Sequence, residues 1–372
     1  MAKSKRKRRA DGRYQDYVFL GYNPDGTENR KWVYARSEKE LDQKILNLKL
    51  AMAKNEYLEE TNMTVKQWAE LWLENYKAGK EYKTYKMYET TLKNHIVKEL
   101  GHMKLTDVKP FHLEGLLTKR KKEGLTKTLI NIRMVAKQMF EDAVENNYLI
   151  KNPANKLEFP TVHKPERRPL TDKEIQIVKN AKFTLKQKAF VFILLYAGLR
   201  RGEALALTKN DIDLEKDIIN VNKTVVFQNN RPILKEITKT EAGMRQVPII
   251  QILKPVLEEY LKKVKYMYLF QPEKSRGLMT ESAYRSFWNT IWRCLNKTAG
   301  GNHKVIAFDK EITPHNFRHS YATMLYYAGV DVKQAQYLLG HASAEVTLEI
   351  YTHLDKQKSA PTDKLNSYVA ST

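Results

Sequence analysis

The sequence predicts a mixed, mainly α fold: a small N-terminal β-sheet with one helix, a helical domain, and a larger α+β domain holding a small antiparallel sheet. Three observations carry that reading. Strand-like alternation rich in Tyr, Val and Phe fills residues 14–22 and resumes at 31–35. Apolar residues then recur at helical spacing from Val65 to Val144. Beyond a proline-rich stretch, helical patterns give way to strand-like runs at 218–227 and 234–250 and then return. This order has no βαβ alternation and no Gly-rich nucleotide loop, so an ATP-binding fold is not expected.

Residues 3–9, Lys-Ser-Lys-Arg-Lys-Arg-Arg, form a basic arm too polar to pack. It reads as a solubilising tail or as an arm reaching a nucleic-acid groove, with Arg6, Arg8 and Arg9 as its contacts. Asn23-Pro24-Asp25-Gly26 predicts the turn between two strands. Ser37 with Glu40 makes a capping box that opens a helix to about Asn55. A first domain therefore spans 1–60, and its basic strand face is a candidate DNA reader.

The second domain, 61–158, predicts helices on four stripes: Val65, Trp68, Leu71, Trp72 and Tyr76; Tyr85, Tyr88, Leu92 and Ile96; Leu113, Leu116 and Leu117; and Ile130, Val135, Met139, Phe140 and Val144. These aromatics read as core. Lys83, Lys86, Lys119, Arg120 and Lys121 lie mostly off the stripes and are candidate phosphate contacts. Residues 159–170, with their prolines and no apolar period, predict an extended linker. The third domain, 171–354, opens with a helix capped by Thr171 and Glu174, followed by an apolar helix over 187–197. The tail, 355–372, has no strong period.

Composition bounds the partners. The chain of 372 residues carries a net charge of +22, spread along its length and interleaved with Tyr and Trp, which points to a polyanion and to nucleic acid above others. A single cysteine, Cys294, excludes an internal disulfide framework and a cysteine-built zinc site. The longest apolar run, Ala189–Leu199, is about half the ~20 residues of a membrane-spanning helix, and no signal peptide pattern is present. A soluble, cytoplasmic protein without membrane partners is expected.

The candidate chemistry gathers near the C-terminus. Thr313 suits an N-cap and Pro314 the first helical position, which places His315 and Arg318 on one face of a helix start, where phosphates bind well. Gly340 reads as a helix stop, with His341 just beyond and Tyr351 ten residues later. Upstream, Ala197-Gly198-Leu199-Arg200-Arg201-Gly202-Glu203 turns between two helices, and Glu203 can hold Arg200 at i+3. Thr238–Pro248 reads as a hairpin turning at Glu241-Ala242-Gly243, with Lys239 beside the turn and Lys235 and Arg245 flanking it.

Together Arg200, Lys239, His315, Arg318, His341 and Tyr351 supply what metal-free phosphodiester cleavage needs. Two guanidiniums stabilise the charge on the non-bridging oxygens of a pentacoordinate phosphorus. A tyrosine nucleophile forms a reversible aryl ester; its free pKa of about 10 leaves a deficit of roughly 4 kcal/mol at neutral pH that nearby cations and a base offset. A lysine donates a proton to the departing 5′ oxygen.

These motifs, Ala-Gly-Leu-Arg-Arg-Gly-Glu, Thr-Lys-Thr, Thr-Pro-His-Asn-Phe-Arg-His, Leu-Leu-Gly-His and Ile-Tyr-Thr-His, resemble the ordered set of the tyrosine recombinases, closest to integrases of phages and conjugative transposons. The resemblance covers essentially the whole chain. It implies an arm-type DNA-binding domain, a helical core-binding (SAM-like) domain and a catalytic domain, in that order. It implies a recombinase that integrates and excises a mobile element through a 3′-phosphotyrosine, with no cofactor. Arg200 and Arg318 would bind the phosphate, and Lys239 would be the general acid. His315 would serve as the acid/base histidine, His341 would hydrogen-bond the phosphate, and Tyr351 would attack it, with Glu203 in support. Arg201, His319 and His353 read as bystanders. The resemblance further implies double-stranded DNA with core and arm-type sites, a tetramer on paired sites, an excisionase and a host DNA-bending protein, and a place on the bacterial nucleoid when bound. A non-catalytic DNA-binding regulator leaves six ordered catalytic-type residues unexplained. A type IB topoisomerase would not need the arm domain. A metal nuclease would have to rely on Asp211 and Asp213, which read as a solvated turn.

Overall fold

The computed structural model describes residues 8–22, 27–53, 62–124, 126–158, 168–237, 243–272 and 276–355. The chain divides into two compact units, Met1–Lys164 and Pro165–Thr372. The Asn23–Gly26 turn, most of the linker stretch, and the tail beyond Asp355 lie outside the described residues.

In the first unit, β1 (Tyr14–Tyr22) and β2 (Glu28–Ala35) pair antiparallel with Tyr17 opposite Trp32, and a bulge falls between Phe19 and Gly21. Helix α1 (Glu38–Ala53) starts where the capping-box pattern predicts, with half of the box in place: the Glu40 N–H donates to the Ser37 hydroxyl, whereas the Glu40 carboxylate accepts from the N–H of Arg36, one residue before the cap. Period-two alternation buries Val18 and Ala35 on the side that, with Leu41 of α1, forms the small core. Tyr17, Phe19, Trp32 and Tyr34 remain exposed on the strands. Arg30 lies over the Tyr17 ring at 4.5 Å, and Arg9 over Tyr34 at 5.2 Å.

Helix α2 (Val65–Lys77) is capped by Thr64 and Gln67, and buries Val65, Trp68, Ala69 and Trp72. Leu71, assigned to that stripe by sequence, is exposed because six residues from Val65 is about 240° around the helix. Tyr76, on the last turn, is exposed as well. Helix α3 (Tyr82–Thr91) runs through a π-helical turn at Leu92–Ile96 into α4 (Val97–Leu100). Its wider turn lets Tyr88, Leu92 and Ile96, four residues apart each time, all face the core instead of drifting off it. Helices α5 (Pro110–Lys122) and α6 (Thr126–Glu145) complete this core, and the Trp68 and Trp72 indole N–H groups donate to the Met139 carbonyl and to Asp142.

The second unit is built around one helix. After α7 (Asp172–Asn180), capped by Thr171 and Glu174, α8 (Leu185–Tyr196) is buried from Ala189 to Tyr196. It carries the core of the unit, with Phe190 packed edge-on against Phe270 and Phe287. Helix α9 (Arg201–Ala206) follows, then β3 (Ile212–Asp213), β4 (Ile218–Val221), β5 (Lys223–Gln228), β6 (Arg231–Glu236) and β7 (Arg245–Pro248). The strands form an antiparallel β3-β4-β7 sheet and a β5-β6 hairpin. The hairpin expected about Glu241-Ala242-Gly243 is therefore not one: β6 pairs with β5 and β7 with β4, so the intervening segment joins two sheets. Asn229 and Asn230, both at positive φ, make the actual turn of the β5-β6 hairpin. Helices α10 (Lys254–Lys263), α11 (Glu281–Thr298), α12 (Pro314–Tyr327), α13 (Val332–Leu339) and α14 (Ala344–Asp355) close the unit. Among the described residues, no helix is long and apolar enough to cross a membrane.

Candidate active site

The site is assembled where the C-terminal end of α13 meets the first turns of α9 and α12. Thr313 and Asn316 cap α12, with Pro314 in its first turn, as the sequence pattern predicts. Arg318, one turn in, is buried; its Nη1 donates to the Gly198 carbonyl at 2.8 Å and its Nη2 to the Leu339 carbonyl. Gly198 sits at φ 63°, and a Cβ there would stand 2.1 Å from the Tyr321 ring, so the turn that offers its carbonyl to Arg318 requires glycine.

Arg200 caps α9. Its backbone N–H donates to Glu203 Oε2 at 2.7 Å and its Nη1 to Oε1 at 2.8 Å, while its Nη2 reaches the Gly340 carbonyl at 2.6 Å. Arg245, pointing inward from β7, donates Nε to the Leu338 carbonyl at 2.7 Å and both Nη atoms to Glu203, at 3.1 and 2.9 Å. The carbonyls of Leu338, Leu339 and Gly340, which the end of a helix leaves without intrahelical partners, thus each receive a different guanidinium. Gly340 itself terminates α13 in the left-handed conformation, φ 62°.

One carboxylate serves all three arginines. Burial would raise the Glu203 pKa, but Arg245, Arg200 and Arg318 outweigh it and hold the carboxyl at about 2. For Arg318, burial first and the Arg200 charge second bring the value down to about 9, against the pull of Glu203; the group is still charged at neutral pH. The cluster therefore carries a net positive charge directed at whatever enters beside it.

His341 follows directly. Its N–H donates to the Gln336 carbonyl, and its Nδ1 lies 2.9 Å from the hydroxyl of fully buried Thr347. Burial, then the charges of Arg318 and Arg200, pull its pKa to about 4, so the ring is neutral at pH 7. When Thr347 donates to Nδ1, the proton sits on Nε2, available for an anion.

A pocket of about 170 Å³ is lined by Arg200, His315, Arg318, His319 and His341, with Val346 and Ile350 of α14 among its apolar walls. The sequence-read residues Arg200, His315, Arg318 and His341 are brought together there, with Glu203 beneath. Tyr351 is not in the wall. Its hydroxyl donates to the Val330 carbonyl at 3.1 Å, its ring packs edge-on against Tyr326, and burial raises its pKa, with Asp331 adding to the rise. Ile350, one residue earlier, faces the pocket instead. Lys239 lies outside the described residues.

Two residues stand differently from their sequence reading. His319, taken as a bystander, lines the pocket; its spacing of four from His315 is the signal that places both on one face. Arg245, read as a flanker of the lysine turn, is the buried partner of Glu203; its alternation with inward Val247 on β7 is the signal.

Of the candidate DNA contacts, Arg6 lies outside the described residues. Arg8 stacks over Tyr14 at 5.0 Å, and Arg9 donates to Gln15. Lys83 and Lys121 are exposed. Lys86 pairs with Glu89, and Lys119 with Glu99. Arg120 departs from expectation: it is buried and bound to Glu99 and Glu123, so its guanidinium is internal and not offered to a phosphate. Asp211 is buried against Thr208 and Lys223, and among the described residues no cluster of His, Cys, Asp or Glu could hold a metal ion.

Comparison with known proteins matches residues 168–358 to the phage integrase family and residues 64–119 to the N-terminal SAM-like domain of phage integrases. A tyrosine recombinase XerC-like protein of Caldanaerobacter subterraneus subsp. tengcongensis is 28% identical over 95% of both chains. The ICEBs1 integrase of Bacillus subtilis is 24% identical over 97% of this chain and 98% of its own. Among solved structures, a Tn1549 transposon integrase in complex with transposon right end DNA superposes with a TM-score of 0.67 at 24% identity, covering 83% of this chain and 99% of that one. The chain belongs to the phage integrase family and is a tyrosine recombinase, an enzyme that cleaves and rejoins DNA strands.

Proposed function

We propose that this recombinase integrates and excises a mobile element, with Arg200, Lys239, His315, Arg318, His341 and Tyr351 performing the strand exchange. The observation that carries the assignment is the pocket in which two guanidiniums and His315 and His341 converge, with Tyr351 on the helix that forms its wall. Arg200 and Arg318 hold the non-bridging oxygens of the scissile phosphate, and His341 donates a hydrogen bond to one of them. The Tyr351 oxygen attacks phosphorus, passing its proton to His315 as base. The bond to the 5′ oxygen breaks, and Lys239 supplies that oxygen with a proton. The 3′-phosphotyrosine conserves the energy of the broken bond, so a 5′ hydroxyl of the partner strand reverses the step without ATP. For this to happen Tyr351 leaves the Val330 carbonyl; a rotation of α14 by one residue position, about 100°, brings it to where Ile350 stands.

DNA as partner agrees with the +22 charge and with the DNA-bound Tn1549 integrase. A tetramer on paired sites follows from one tyrosine per strand and four strands, and a lambda integrase is known as a tetramer on a Holliday junction. In our reading the chain is divided as 1–60, 61–158 and 171–354, binding arm-type sites, core sites and the scissile phosphate respectively. Arg8 and Arg9 are placed at the arm site. An excisionase and a host DNA-bending protein set direction, on the bacterial nucleoid. The test is a nicked duplex spanning the joined ends of the element: the native chain forms a covalent adduct mapped to Tyr351, and Tyr351→Phe forms none. An adduct persisting in Tyr351→Phe overturns the nucleophile assignment.

A further inference from the structure

Glu203 is almost completely buried, and its two oxygens meet three guanidiniums, of which Arg200 and Arg318 line the pocket and Arg245 does not. Arg245 has no exposed side-chain surface, so it meets no DNA. Its contacts are to Glu203, to the Leu338 carbonyl at the end of α13, and to the Gly243 carbonyl at the border of the segment that carries Lys239. We propose that Arg245 is a positioning residue for strand cleavage: it neutralises Glu203 and pins the last turn of α13, so that Arg200 and Arg318 spend their charge on the phosphate and His341 holds its place. The inference rests on the function proposed above.

The physical argument is one of competition. A carboxylate flanked by three guanidiniums leaves two charges uncompensated; flanked by two, it leaves one. With Arg245 gone, the Glu203 Oε2 atom, 4.0 Å from Arg318 Nη1, has that guanidinium as its remaining buried cation and draws it off the pocket. The Leu338 carbonyl loses its donor at the same time, two residues before Gly340 and three before His341. Arginine suits the position because it must make bonds in three directions from one planar group; lysine keeps the charge but not the fork.

The experiment uses the full chain and the nicked duplex spanning the element's joined ends, comparing native protein with Arg245→Met, Arg245→Lys, Glu203→Gln and the double variant Arg245→Met/Glu203→Gln. Adduct formation is measured in single turnover at saturating protein, and thermal unfolding checks that each variant folds. The expected result is a loss of about 100-fold in cleavage rate for Arg245→Met with DNA affinity within twofold of native. Arg245→Lys falls between. The double variant recovers at least tenfold over Arg245→Met, because the carboxylate that draws Arg318 off the pocket is gone. A folded Arg245→Met that cleaves at the native rate, or losses that simply multiply in the double variant, overturns the inference. A native chain that forms no adduct refutes the function reading instead. The positioning role is then decided without DNA by imidazole NMR. The His341 ring, faced by Arg318, Arg200, His319 and Arg245, titrates higher in Arg245→Met and returns in the double variant; an unmoved His341 titration overturns it.

Discussion

Two clusters of basic side chains show how neighbours decide what a cation does. In the helical part of the first unit, Arg120 meets two carboxylates, Glu99 at 2.8 Å and Glu123 at 2.7 Å, and Lys119 shares Glu99. Charge there is spent internally. In the second unit, Arg200, Arg245 and Arg318 share one carboxylate, Glu203, and are otherwise held by neutral carbonyls at Gly198, Leu338, Leu339, Gly340 and Gly243. Carbonyls fix a guanidinium without cancelling it. The first arrangement holds helices together; the second stores positive charge in fixed geometry, which is what a phosphate with developing negative charge requires.

The contrast is broken most visibly by comparing one buried arginine from each cluster, Arg318 and Arg120. Arg318→Met removes a donor aimed at the pocket, and cleavage is expected to fall about 10³-fold in single turnover, in line with the loss of one preorganised anion donor. Arg120→Met should leave the cleavage chemistry intact but strand Glu99 and Glu123. Because those carboxylates are partly exposed, the cost is set at about 2 kcal/mol of stability, below the value for a fully buried pair, read from the urea midpoint. If Arg120→Met abolishes cleavage while the fold survives, the distinction between the two groups fails.

Gly340→Ala probes the carbonyl lock. At φ 62° an alanine costs about 1 kcal/mol, and any relaxation of that turn shifts the carbonyls to which all three arginines are tied, so cleavage should drop more than stability does. pH sharpens the point. His341 has a folded-state pKa depressed to about 4, so between its unfolded value and that level the unfolded chain binds the extra proton. Stability is expected to fall as pH drops through this window, and His341→Gln should flatten that part of the urea-midpoint profile.

Much of this was legible beforehand, for local reasons. Thr313, Pro314 and Gly340 mark helix ends through their own backbone preferences, and His315 and Arg318 fall on one face by spacing. What was not legible depends on long-range pairing. Nothing near Thr238–Pro248 says that β6 and β7 take different partners, so the segment by itself reads as a hairpin. Arg120 falls on the apolar stripe of its own helix, four residues after Leu116 and seven after Leu113, but its type reads as exposed because the carboxylate that meets it there, Glu99, is twenty-one residues away. Tyr351 carries its motif wherever α14 turns; its hydrogen bond to Val330 belongs to the fold, not to the pattern.

The smallest expected effect tests the other end of the contrast. Lys83 is exposed on α3, whereas Lys86, one turn on, is tied to Glu89 at 2.5 Å. A lysine that displaces one counterion from a DNA phosphate contributes about 0.9 to the slope of log affinity against log salt concentration. Lys83→Gln should therefore lower that slope by about 0.9 if this face meets the backbone. Lys86→Gln should lower it by less, because Glu89 already offsets that charge and is itself repelled by DNA. Arg120→Met should leave the slope unchanged, its charge having been spent inside the protein. Equal slope changes for all three would mean that exposure and local pairing do not sort the basic residues of this unit into DNA contacts and structural ties.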